Sequence, residues 1–218
     1  MLTRAKPDAV LHPKKFYADA APGPVDDGVG VLLDGRPVRT PAATKLKLPT
    51  PALAQLIAAE WAAQAEHIVI SDMPATRLAF TAIDRAPVAR EAAAGEIAGR
   101  AGADVLCYFA DGPDSLVELQ VAHWAPMLDW ATEALGLHFV RTAGLMHQSQ
   151  PEDTLVRTRA LALELSDFEL TGEEAFDLSR LDEAFQEERW GVDEDAAVRT
   201  ARLRHEARVL EQWFAALR

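Results

Sequence analysis

The hydrophobic pattern of this chain changes period once. Up to Pro74 it mixes the two-residue alternation of strands with a single helical stretch, and beyond Pro74 it follows the helical repeat of about 3.6 residues. A chain of 218 residues with one such switch reads as α+β with the classes segregated: a small β-rich N-terminal domain, residues 1–74, followed by a larger all-helical domain, residues 75–218. No βα alternation, internal repeat or low-complexity stretch competes with that reading.

The N-terminal part carries clear punctuation. Ala20-Ala21-Pro22-Gly23-Pro24 reads as a turn-rich break. Gly28 to Leu33 and Arg36 to Thr40 are strand-like runs separated by Asp34-Gly35, the signature of a tight hairpin, because glycine takes positive φ without steric cost. Leu46 and Leu48, alternating with Lys45 and Lys47, make a third strand with one wet face. Thr50-Pro51 then gives an N-cap and a proline at the first helical position. Behind it Leu53, Leu56, Ile57 and Trp61 form a stripe that would cover the antiparallel strands. Ile68 and Ile70, alternating around Val69, suggest one more short strand.

In the helical part an Ala-rich helix spans roughly Val88 to Arg100. Ser115-Leu116-Val117-Glu118 has the form of a capping box. The helix behind it carries Leu116, Leu119, His123, Trp124, Met127, Leu128, Ala131 and Leu135, and Gly136 is placed to end it. Leu137 to Val140 suggests a brief strand, and Pro151 opens another helix through Leu155, Leu161 and Leu165. Thr171-Gly172-Glu173-Glu174 offers a second capping box. A last helix from about Asp193 to Leu217 turns Val198, Leu203, Leu210, Trp213 and Phe214 inward.

Chemistry is harder to find. The chain lacks a phosphate loop, a nucleophile elbow and an HExxH motif, and none of the six histidines sits three or four residues from another. Neither a metal site nor a cofactor is expected. The single cysteine, Cys107, lies in the apolar run Val105 to Phe109 and reads as a buried hydrophobe; one cysteine excludes an internal disulfide. The formal charge is -12, and residues 151–218 hold 17 acidic against 9 basic side chains. That surface repels phosphate backbones, so nucleic acid is not an expected partner. No apolar run reaches the length of about 20 residues that crosses a bilayer, so membrane insertion is not expected either. The N-terminus has no apolar secretory core, which suggests a cytoplasmic protein or a processed organellar one.

Seven segments, in order, carry a resemblance. They are Lys15-Phe16-Tyr17; Val31 to Pro41; Ala58-Ala59-Glu60-Trp61-Ala62-Ala63-Gln64; Met73 to Ala79 with Thr81 to Asp84; Asp104 to Tyr108; Trp124 to Trp130; and Leu178 to Glu183 with Gln186 and Trp190-Gly191. Together they resemble the assembly chaperones of the catalytic sector of ATP synthase, the Atp-twelve family, over nearly the whole chain. The resemblance implies a two-domain chaperone that binds the free α subunit of that sector, keeps it from aggregating until β subunits take its place, and consumes no ATP. A monomer suffices for such a task. A helical adaptor without chaperone action, or a small-molecule enzyme, are the alternatives from other classes. One departure stands out. The family carries a further apolar segment between Asp167-Phe168-Glu169-Leu170 and Thr171-Gly172-Glu173-Glu174, where the ends abut here. We read this as residues omitted from the chain, since loss of a core helix would expose its apolar neighbours.

Candidate contact residues come from the last of those segments. Asp182, Glu183, Gln186 and Trp190 have helical spacing and lie in the acidic third of the chain. Carboxylates there would pair with client arginines, with Trp190 as an aromatic anchor; the other reading has these residues joining the last two helices. Trp61 belongs to an apolar stripe, so it and the adjoining Glu60 are expected to be structural.

Overall fold

The computed structural model describes residues 12–144, 146–178 and 194–218. The fold is mixed helix and sheet, with a small antiparallel sheet near the N-terminus and helices after it. Two compact units form: Met1–Asp84 with Glu211–Arg218, and Arg85–Leu210.

In the first unit, β1 (Ala20–Val25) pairs antiparallel with β2 (Gly28–Leu33), and β2 pairs in turn with β3 (Arg36–Pro37) and β4 (Lys47–Leu48). The Asp34-Gly35 turn forms as the sequence predicts, both residues at positive φ (47° and 79°). Asp34 does more than turn: its carboxylate accepts from the Ala18 and Asp19 amides and ties the incoming chain to the hairpin. The stretch Ala20 to Pro24 is a strand, not a break. An edge strand needs inward amides only at alternate residues, and Pro22 and Pro24 alternate, so both prolines fit the ladder.

Thr50 caps α1 (Pro51–Ala62), its hydroxyl accepting from the Leu53 amide at 3.1 Å. Leu53, Ile57 and Trp61 face the sheet and are buried, joined by Ala54 and Ala58; Leu56 is half-buried at the edge of the stripe. They pack over Val25, Val31, Leu33, Leu46 and Leu48. The strand expected around Ile68 does not form. His67 makes one isolated bridge to Lys14, and Ile70–Asp72 is a 3-10 turn leading into α2 (Pro74–Asp84). The final turns of the chain complete this unit, with Trp213 fully buried and the Thr50 hydroxyl donating to the Ala216 carbonyl.

The second unit is built on α3 (Ala86–Ala101), which packs against α5 (Glu152–Glu164) and α6 (Asp167–Leu178). Ala93, Ala94, Ala162 and Leu170 form its core, and the small residues let the helices approach closely. Arg90 of α3 clamps the α5–α6 turn. Its guanidinium donates to the Leu163 and Leu165 carbonyls and pairs with Asp167. The second capping box sits one and a half turns earlier than the sequence suggests. Ser166 and Glu169 satisfy each other's amides, whereas Thr171 lies inside α6 with its hydroxyl on the Asp167 carbonyl. The helix also runs unbroken through Leu170 and Thr171, which are 1% and 3% exposed. The junction is thus closed and packed.

This unit is not purely helical. After a 3-10 turn at Val105–Cys107, β5 (Tyr108–Phe109) pairs in parallel with β6 (Thr142–Ala143). Between them runs α4 (Asp114–Leu135), ended by Gly136 at φ 70°. Its first helical residue is Asp114 after Pro113, so Ser115 is already inside the helix and makes no cap. The strand expected at Leu137 to Val140 is absent for a specific reason. The Gln150 carboxamide accepts from the Val140 amide at 2.7 Å and donates to its carbonyl at 3.0 Å, taking the place of a partner strand. A last helix, α7, spans Glu194–Leu217; of the side chains expected to face inward, Leu210 and Trp213 are buried and Phe214 is half-buried.

Gly30 tests the tightness of the sheet. A Cβ there would lie 2.1 Å from the Leu46 carbonyl oxygen, which belongs to backbone and cannot swing aside. Gly30→Ala is therefore expected to destabilise the protein by about 1–3 kcal/mol, read as a lower denaturant midpoint; an unchanged midpoint would show that the backbone at Leu46 yields freely.

Candidate functional site

Glu60 and Trp61 are neighbours on α1 with different tasks. Trp61 is 6% exposed, its ring 5.8 Å from that of Tyr17, whose hydroxyl donates to the Trp61 carbonyl at 2.8 Å. Its indole nitrogen is buried with no hydrogen-bond partner among the described residues. Glu60 turns the other way and caps α2. Its two carboxylate oxygens accept from the Ala75 and Thr76 amides and the Thr76 hydroxyl, all at 2.7 Å. Burial pushes its carboxyl above the usual range, while the three donors pull the other way. Asp84, at the far end of α2, accepts from the Thr40 hydroxyl and the Ala42 amide, so both ends of α2 are fixed to the first unit. These groups hold the unit together.

Asp182, Glu183, Gln186 and Trp190 lie outside the described residues.

The second unit presents a different kind of surface, on α4. Val117, Trp124, Leu128, Ala131 and Leu135 recur at i, i+7, i+11, i+14 and i+18 and form the inner face. Leu128 and Ala131 are buried, and Trp124 meets Phe109 edge-on at 5.8 Å. Leu119, His123, Met127 and Trp130 recur at i, i+4, i+8 and i+11 and form a second stripe, turned away from the first. Leu119, Met127 and Trp130 are 48%, 54% and 59% exposed. In the sequence the two stripes merge into one broad apolar face; only the structure separates the one that packs from the one that does not. Such a run of large exposed apolar side chains on one helix marks an interaction surface.

Beside the outer stripe lies a cleft of about 150 Å³ lined by Leu106, Cys107, Met127, Leu128, Trp130 and Phe139, with Asp104 at its edge. Its walls are almost wholly apolar. The volume is about that of an engineered cavity that takes up benzene, so it suits one large apolar side chain. Catalysis has little to work with here. Burial, reinforced by the Asp104 charge, pushes the Cys107 thiol up to about 11 against the smaller pull of Arg141, so the nucleophilic thiolate is scarce at neutral pH. Among the described residues no group of three or more His, Cys, Asp or Glu is placed to hold a metal ion. No described helix is long and apolar enough to cross a membrane.

Residues 14–132, more than half of the chain and most of α4, match the family described as ATP12 chaperone protein. Atp12 from Paracoccus denitrificans is 35% identical in sequence and superposes with a TM-score of 0.80, over 94% of this chain and 99% of that one. A point mutant of the same protein gives 34% identity, a TM-score of 0.80, and coverage of 94% and 98%. The Atu1473 protein of Agrobacterium tumefaciens gives 32%, a TM-score of 0.82, and coverage of 94% and 87%.

Two measurements check this division of labour. Trp61→Ala is expected to cost about 3–5 kcal/mol of stability as a large-to-small core change, and Glu60→Ala about 1–3 kcal/mol through the amides it strands; wild-type melting temperatures for both would refute the structural roles. Cys107 is expected to react with a maleimide at neutral pH at least about a hundredfold more slowly in native protein than in urea; equal rates would mean that the cleft wall opens.

Proposed function

Because this chain belongs to the ATP12 chaperone family, we propose that it serves the assembly of ATP synthase by holding the free α subunit of the catalytic sector until β subunits replace it. The observation that carries this reading is the outer stripe of α4: Leu119, Met127 and Trp130, exposed beside an apolar cleft within the family-matched segment. A subunit destined for a ring exposes interface until its neighbours arrive, and that interface aggregates unless covered. Covering it takes area, shape and a few anchoring side chains, with aromatic and Met residues at the centre. It takes no reaction centre, metal or cofactor, and no ATP consumed by the chaperone.

We further propose a monomer, because the net charge of -12 sets copies against one another. The place of action follows from the client: the bacterial cytoplasm, or the mitochondrial matrix for a processed eukaryotic chain. Asp182, Glu183, Gln186 and Trp190 remain proposed contacts on the strength of the family resemblance.

The test is co-purification with the α subunit, followed by light scattering of that subunit with and without the chaperone. Wild-type protein is expected to bind and suppress scattering. Met127→Asp with Trp130→Asp, both at exposed positions, is expected to keep its melting temperature while weakening binding by roughly thirtyfold or more. Full protection by the double variant would remove α4 from the contact, and failure of the wild type to hold the subunit would end the proposal.

A further inference from the structure

The first unit is discontinuous in sequence: residues up to Asp84 form it together with Glu211–Arg218, and the sequence of the second unit lies between. One hydroxyl makes the join. Thr50 accepts from the Leu53 amide at 3.1 Å, which caps α1, and donates to the carbonyl of Ala216, 166 residues away in the last turn of α7. An orphan amide at the start of one helix and an orphan carbonyl at the end of another are satisfied by the same side-chain oxygen. The opposite partial charges of the two helix ends attract. Three residues before Ala216, on the same face of α7, Trp213 is fully buried, and Ala216 is buried as well. A buried tryptophan takes about 150–250 Å² out of water, a large share of what a unit this small can bury. The core of the second unit, Ala93, Ala94, Ala162 and Leu170, is drawn entirely from residues between the two parts of the first.

We infer that residues 211–218 are a closing latch: the first unit, although its strands and α1 come early in the sequence, becomes a sealed core only when this turn docks, after the second unit has folded. The inference goes beyond the chaperone reading and does not depend on it. Domains commonly fold in the order in which they are synthesised. Here the order reverses, because the sheet and α1 wait for a tryptophan made after every residue of the second unit. The entropy of closure favours the same sequence of events. Joining Thr50 to Ala216 across an unfolded coil of that length costs more than joining them across a tether whose middle is already folded. Local opening of the folded protein follows the same seam: undocking of the turn uncovers the first core and leaves the second intact. A chain stalled before Trp213 is left with a hollow in its first core. Proteases that cleave at apolar residues tell it from a chain that has passed that point.

The full chain is held on the ribosome behind a flexible tether of two lengths and treated briefly with thermolysin. The short tether keeps residues 211–218 inside the exit tunnel, and the long one brings them out. With the short tether, cleavage within β2 and α1 is expected to be at least about tenfold faster than with the long one, whereas cleavage within α3 is expected to be equal at both. With the long tether, the Trp213→Ala chain is expected to be cut in β2 and α1 as fast as the short-tether chain. Equal protection of β2 and α1 at both tethers would overturn the inference, and so would wild-type protection in Trp213→Ala. Protection of α3 only with the long tether would overturn it too, because the second unit would then not precede the first. The two tethers compare the same wild-type chain, so their result stands even where the alanine variant does not fold.

Discussion

The display of the α4 stripe depends on how firmly the opposite face of that helix is held. Leu128 and Ala131 are buried against the turn that carries Cys107, and the Thr132 hydroxyl donates to the Leu137 carbonyl just beyond the helix end. The Gln120 carboxamide accepts from the Ala110 amide at 2.7 Å, fixing the chain that enters the helix. Gln150 then locks the chain that leaves it, and the β5–β6 pair closes the two ends together. A helix so anchored keeps its outer side chains in place without burying them. Holding a partner on a pre-organised surface avoids much of the ordering entropy that a loose one would lose on binding.

The same economy of contacts shapes the first unit. Glu60 reaches from α1 to cap α2, and Asp84 ties the other end of α2 to the loop after β3. Glu60 replaces backbone partners that the start of a short helix lacks, and Asp84 satisfies a loop amide and a hydroxyl. Glu60 is substantially buried, so its charge is maintained only by the donors around it; removing them would leave a stranded carboxyl rather than a free one. This is why the segment from Ala58 to Gln64 and the segment from Met73 to Asp84 have to be read together: each supplies what the other cannot satisfy alone.

Much of this was legible in the residues. The Asp34-Gly35 turn, the Thr50-Pro51 helix start and the Gly136 stop each follow from a local backbone requirement that few other residues meet, so they survive any tertiary context. The misreadings share another cause. Pro22 and Pro24 argue against a strand in general but not against an edge strand in the right phase, and phase is set by the partner. Ser115 and Thr171 have the spacing of capping residues, yet the helices begin upstream at Asp114 and Asp167. Leu137 to Val140 has the makings of a strand, but its partner is a side-chain amide from residue 150. The candidate site was half legible. Trp61 could be assigned to the core because its stripe has one sheet to cover. The α4 stripes could not be told apart, because periodicity records which side chains share a face and not whether anything covers it.

An exposed apolar stripe is a hazard to the protein that carries it, since copies of the same surface attract one another. The net charge offsets that hazard. Two copies brought stripe to stripe would each carry a formal charge of -12 into the contact. Like charges oppose the symmetric contact while leaving the apolar surface open to a partner of the other charge.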